Sequence, residues 1–243
     1  MKVNKKMLED LRGIAEANPE SPLAWSNLGV ALFQMDKHTE ALDALMKSVE
    51  LNPENSETWF NLGIVNNILQ RSEEATISFK RASELDPQNP AALSAYGGML
   101  TNTGRSAEAI APLLAAAKLN PADASILFNL GMALRDEKRS EEAILAFHRS
   151  LQVNPYDPEA WLNIGKLFVD IGKFQEAEGP LKTALMKLKK HSGALLYLGK
   201  AYVGMGKNKD AKKALNDAKK NAKMFPEDAP WVITEADEAL DKL

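Results

Sequence analysis

Residues 52–63 read "NPENSETWFNLG", and the phrase returns as "NPESPLAWSNLG" at 18–29, "NPADASILFNLG" at 120–131 and "NPYDPEAWLNIG" at 154–165. Each copy places a helix-ending Asn-Pro ahead of a run with large apolar residues, an asparagine and a glycine. Gly29, Gly63, Gly97, Gly131, Gly165 and Gly199 follow one another at 34-residue intervals. Twelve residues after each stands an alanine: Ala41, Ala75, Ala109, Ala143, Ala177 and Ala211. A fixed period of this length marks a repeat architecture, in which each supersecondary element buries its apolar face against the next.

Counted from Pro22, the apolar residues in the first half of each repeat fall at positions 4, 7, 8 and 11, the spacing of one helical face. In the second repeat these are Trp59, Leu62, Gly63 and Asn66. The second half carries Ala75, Phe79 and Ala82, again at helical spacing, and Gly104, Gly172 and Gly206 mark turns between paired helices. Nothing alternates with period two, so no strand is predicted. Glycine inside a helix costs about 1 kcal/mol relative to alanine, which predicts a close helix crossing at position 8.

Trp-x2-Leu-Gly, then Ala, then Phe or Leu, then Pro resembles the tetratricopeptide repeat family. The resemblance covers 22–225 and implies an all-α protein, a right-handed superhelix (an α-solenoid) of antiparallel helix pairs. Its six repeats would be 22–55, 56–89, 90–123, 124–157, 158–191 and 192–225. Lys189 and Lys223 stand where a closing proline belongs, and Pro112 and Pro180 sit in second helices, where they predict bends. Residues 1–21, with the stripe Met7, Leu8, Leu11 and Ile14, read as an N-terminal half-repeat or capping helix. Residues 226–243 read as a C-terminal capping helix started by Asp228, with the apolar line Val232, Ala236, Leu240 and Leu243. End repeats need a wettable outer face.

The chain has 243 residues, a net charge of −3 and no cysteine, which removes disulfides, thiolate metal sites and cysteine nucleophiles. No run has the length of a signal peptide or a membrane span, so a cytoplasmic protein is expected. His38, His148 and His191 are far apart and lack a metal-ligand spacing. Glu73-Glu74 and Glu141-Glu142 fall at helix starts, where the dipole favours carboxylates. These readings predict no enzyme, no metal and no cofactor.

The functional signal lies opposite the core stripe, at positions 2, 6, 9 and 13 of the first helices. Leu23, Val30, Ile64, Ile68 and Met132 stand there, on a face that water alone would make polar. The family resemblance implies that this face lines a concave peptide-binding groove. Position 6 is Asn27, Asn61, Asn129 and Asn163; an amide offers donor and acceptor together and can bond a peptide backbone. This is similar to the asparagine ladder of O-linked N-acetylglucosamine transferases, broken here by Ala95 and Tyr197. The third repeat has the smallest set, Ala91, Ala95, Gly98 and Asn102, while Lys166 and Lys200, near Arg135, bring positive charge to the stripe. Position 5 carries no lysine, which argues against the chaperone-binding subclass.

The leading expectation is a protein-interaction adaptor that takes an extended partner segment. Residues 182–223 hold 12 lysines against Asp210 and Asp217, a local +10 that leaves −13 for the rest. That asymmetry supports two alternatives: electrostatic binding of nucleic acid or an anionic membrane, or a scaffold that self-associates head to tail. The lack of interleaved aromatic residues argues against nucleic acid.

Overall fold

The computed structural model describes residues 3–224 and 229–243, and among them are fourteen helices and no strand. The chain divides into two compact units, Met1–Pro121 and Ala122–Leu243. The first contains α1 (Lys5–Ala17), α2 (Pro22–Gln34), α3 (His38–Leu51), α4 (Ser56–Ile68), α5 (Ser72–Leu85), α6 (Pro90–Asn102) and α7 (Ser106–Leu119). The second contains α8 (Ala124–Asp136), α9 (Ser140–Val153), α10 (Pro158–Asp170), α11 (Phe174–Lys187), α12 (Ser192–Gly204), α13 (Asn208–Ala222) and α14 (Ala229–Leu240). Within each unit every helix packs on the next in sequence, most extensively in the pairs α2–α3, α4–α5, α6–α7, α8–α9, α10–α11 and α12–α13.

Local chemistry places the helix ends. Each first helix of a pair starts behind a side-chain cap: Ser21, Asn55, Asn89, Asp123 and Asp157 each accept a main-chain amide two or three residues on. His191 does the same for α12 through Nδ1, which accepts the Ala194 amide at 3.1 Å. Such a cap contributes about 1 kcal/mol, and the prolines opening α2, α6 and α10 lack only an amide that has no helical partner. The second helices follow Lys37, Arg71, Arg105, Arg139, Lys173 and Lys207, which give no side-chain cap. The amides of these residues instead reach back five residues, as from Lys37 to the Leu32 carbonyl at 3.0 Å and from Arg105 to Leu100 at 2.8 Å. This is the Schellman closure, and it demands a left-handed residue just before. Gly104, Gly172 and Gly206 supply it, as the sequence indicates, but Asp36, Gln70 and Lys138 adopt the same conformation with φ of 58–59°.

The repeating glycines sit where paired helices touch. A Cβ on Gly29, Gly63, Gly97, Gly131, Gly165 or Gly199 would lie 2.5–2.7 Å from Leu45, Phe79, Leu113, Phe147, Leu181 or Leu215 respectively. Carbon contacts are normally 3.5–4.0 Å, so the crossing excludes a side chain. The six alanines twelve residues on are all fully buried. Where the opposing residue is Phe79 or Phe147, a second ring braces it: Phe60 at 5.5 Å and Phe128 at 5.4 Å. The pairing of Asn-Pro with a later tryptophan also has a cause. Trp25, Trp59 and Trp161 donate their indole N–H to the carbonyls of Pro19, Pro53 and Pro155 at 2.8, 2.8 and 3.0 Å, tying each turn to the helix it introduces.

The prolines in second helices do not interrupt them: α7 runs through Pro112 and α11 through Pro180, each forgoing one main-chain bond. Near Lys189, the turn after α11 closes with the His191 amide on the Leu188 carbonyl at 2.9 Å. Asp228, the expected start of the last helix, lies outside the described residues. In α14, Val232, Ala236 and Ala239 pack into a buried cluster with Leu196, Leu215, Ala218 and Ala222, and Leu240 and Leu243 join its edge.

Candidate functional site

The outward faces of the first helices follow from the same 3.6-residue period that buries their inner faces. In the first unit, Leu23 is 67% and Ile68 45% exposed, Asn27 is exposed, and Val30, Asn61, Ile64, Ala95 and Gly98 are half-buried. Val30, Asn61 and Ile64 come together around a 20 Å³ crevice floored by Phe33, Leu45 and Val65. Ile64 and Ala95 share an apolar cluster with Phe79 and Met99. A larger hollow of 460 Å³ is lined by Leu23, Asn27 and Val30 from α2 and by Val3, Met7 and Leu11 from the N-terminal helix side. From sequence, α1 reads as a half-repeat or capping helix with the stripe Met7, Leu8, Leu11 and Ile14. Its stripe in fact buries Leu8 but leaves Met7 37% and Ile14 50% exposed, and that incomplete burial is visible only in three dimensions.

The second unit's stripe is a packed polar network. Asn129 and Met132 on α8 are half-buried. Asn163 does not present a free amide, as the ladder reading required. It is 5% exposed, its Nδ2 donates to the Glu159 carbonyl at 2.9 Å, and its Oδ1 accepts from Arg135 Nη1 at 2.7 Å. Arg135 is further held by Asp136 at 2.8 Å. Lys200 donates to Glu235 of α14. Lys166 and Lys200 both lie over Tyr197, 5.6 and 5.0 Å from its ring centre. Burial pushes the Tyr197 phenol up to about 12, helped by the negative charges of Asp170 and Glu235. Burial also raises the Asp170 carboxyl, against the pull of Lys200 and Lys166. Asp170 stands at position 13 of the stripe and is legible there; Glu235 sits one residue past the repeat register of Lys200, where the period places Thr234, so periodicity does not reveal it.

The histidines serve the fold: His38 faces Phe33 at 5.6 Å, His148 meets Trp161 edge-on at 6.3 Å, and His191 caps α12. Among the described residues no three His, Cys, Asp or Glu side chains gather as a metal site, and no helix is long and apolar enough to cross a membrane.

Family models of the tetratricopeptide repeat match residues 22–55, 44–76 and 193–222, and another such model alone matches 69–124, 100–158 and 128–194. No curated protein sequence gives a significant match. Among solved structures, YrrB, described as a TPR protein with an unusual peptide-binding site, is 23% identical. It has a TM-score of 0.71 over 77% of this chain and 97% of its own. PilF of Pseudomonas aeruginosa is 21% identical, with a TM-score of 0.70 over 93% of this chain and 100% of its own. MamA of Desulfovibrio magneticus RS-1 is 20% identical, with a TM-score of 0.64 over 69% and 95%. At these identities the likeness is one of fold.

Proposed function

The chain belongs to the tetratricopeptide repeat family, and on that premise we propose that it is a non-catalytic scaffold binding an extended partner segment along its first-helix stripes. Repeats of this kind build interaction scaffolds with extended binding surfaces. The observation that carries the reading is the juxtaposition in the first unit of uncovered apolar side chains, Leu23 and Ile68, with the amides of Asn27 and Asn61. An extended peptide needs both: apolar contacts for its side chains and a paired donor and acceptor for its backbone. In this reading the scaffold is cytoplasmic and works without a cofactor. In the first unit Asn27 and Asn61 carry the amide contacts, and in the second Asn163 drops out of the ladder.

A photo-crosslinking residue at Ile68, compared with one at Ile77 on the exposed side of α5, tests the assignment in cells. The stripe position is expected to capture a discrete partner, and the double variant Asn27→Ala, Asn61→Ala is expected to lose that capture with unfolding unchanged. Equal labelling from Ile77, or capture indifferent to the two asparagines, would refute the proposal.

A further inference from the structure

The second unit's stripe already holds a carboxylate. Lys200, on α12, bonds Glu235 of α14, and the Lys200 ammonium lies 5.0 Å from the centre of the Tyr197 ring. The helix that brings Glu235 there is anchored independently of it, through the fully buried Val232 and Ala236. Glu235 itself is 37% exposed and Lys200 29%. Beside the pair opens a cavity of 370 Å³ whose walls include Val169, Phe174 and Val203, with Lys200, Glu235 and Glu238 among its polar lining. Gly204 closes one edge, where a Cβ would lie 2.3 Å from the Phe174 ring. An apolar wall leading to an ammonium matches a glutamate side chain, whose aliphatic stem and charged end need those two surroundings in that order.

We propose that Lys200, backed by Tyr197 and Lys166, receives one glutamate side chain of a partner segment, and that Glu235 holds that place in the unliganded chain. The inference rests on the scaffold reading and adds the chemistry of the partner and a resident competitor for it. Exchange swaps one carboxylate–ammonium pair for another while α14 stays seated, so only the Glu235 side chain has to move. The charges facing Lys200 are Glu235, Asp170, Lys166 and, across Tyr197, Arg135, with Glu238 and Lys242 of opposite sign in the cavity wall. With Glu235 displaced, Asp170 still offsets part of the positive charge. The site therefore selects one acidic side chain rather than accumulating anions.

The test uses the full chain and three blocked probes in calorimetry at low salt: acetylated, amidated tetraglutamate; its tetraglutamine counterpart; and acetylated tetra-alanine with a free carboxyl terminus. Glu235→Gln is expected to raise tetraglutamate affinity about three- to fivefold, the size of one partly exposed ion pair, and to leave tetraglutamine unchanged. Lys200→Gln is expected to abolish tetraglutamate preference. Lys212→Gln and Asp217→Asn, at an exposed lysine and an exposed carboxylate of α13 that do not line the cavity, are expected to keep wild-type behaviour. Thermal unfolding of Glu235→Gln within wild-type range shows that α14 remains in place. No gain in Glu235→Gln overturns the inference, as does equal loss in the Lys200 and Lys212 variants, or a preference for the free-acid probe. Capture at Ile68 without tetraglutamate preference removes this inference alone. Lost capture with the preference intact removes the stripe reading of the first unit and leaves Lys200 as an acidic-peptide site.

Discussion

Replacing Gly63 with alanine sets two known quantities against each other. The added Cβ would lie 2.6, 2.7 and 3.0 Å from Cε1, Cδ1 and Cγ of Phe79. Ordinary carbon contacts are about 3.5–4.0 Å, so the ring must retreat by roughly 1 Å. Phe79 is 4% exposed and braced by Phe60, and a rigid ring cannot yield by a rotamer change at its tip. Overpacking of this kind costs about 1–3 kcal/mol, whereas the helix gains about 1 kcal/mol when glycine becomes alanine. The net expectation is a loss of up to about 2 kcal/mol. Gly13 in α1 is the control: its Cβ would meet nothing within 4 Å, so Gly13→Ala is expected to gain about 0.5–1 kcal/mol. Urea unfolding followed by far-ultraviolet circular dichroism reads both, with midpoints compared because repeat arrays need not unfold in two states. If Gly63→Ala gains as much as Gly13→Ala, the close-crossing account of the repeating glycines is wrong.

Lys138 holds a left-handed turn that glycine fills elsewhere, so Lys138→Gly is expected to stabilise by about 1 kcal/mol and Gly172→Ala to destabilise by a similar amount, read from the same urea midpoints. Asn163→Ala removes the part-buried bond to Arg135, which keeps Asp136, and is expected to cost about 0.5–1.5 kcal/mol, while Asn129→Ala stays within about 0.5 kcal/mol; equal losses would contradict the distinction drawn between them. Glu178 accepts from Lys182 at 2.6 Å and Lys207 at 2.8 Å, and these bonds lower its carboxyl from 4.5 to about 2. A depressed carboxylate stabilises the fold above its unfolded value, so this contribution is present above pH 4.5 and disappears as pH falls through about 2. Solvent screening limits it to about 1 kcal/mol, and Glu178→Gln is expected to flatten that part of the stability–pH curve. An unchanged slope in the variant would show that the lysines do not hold Glu178 in solution.

The helical class, the period and the close crossings were legible in one sequence because each rests on local chemistry repeated in register. Proline ends a helix, a 3.6-residue stripe faces a core, and a glycine beside apolar residues signals an approach too close for a side chain. The turns were legible only in part. Glycine announces a left-handed residue, but Asp36, Gln70 and Lys138 take that conformation because the Schellman bond and the packing on both sides impose it. The candidate site divides along the same line. Helical geometry alone assigned Leu23, Ile64 and Ile68 to the outward stripe. Tertiary structure alone decided that Asn163 is consumed by Arg135, that Lys200 already holds Glu235, and that Met7 and Leu11 help line the hollow beside Asn27. Position on a helix sets the direction of a side chain, whereas the partner it meets depends on distances between helices, which no periodicity within one of them contains.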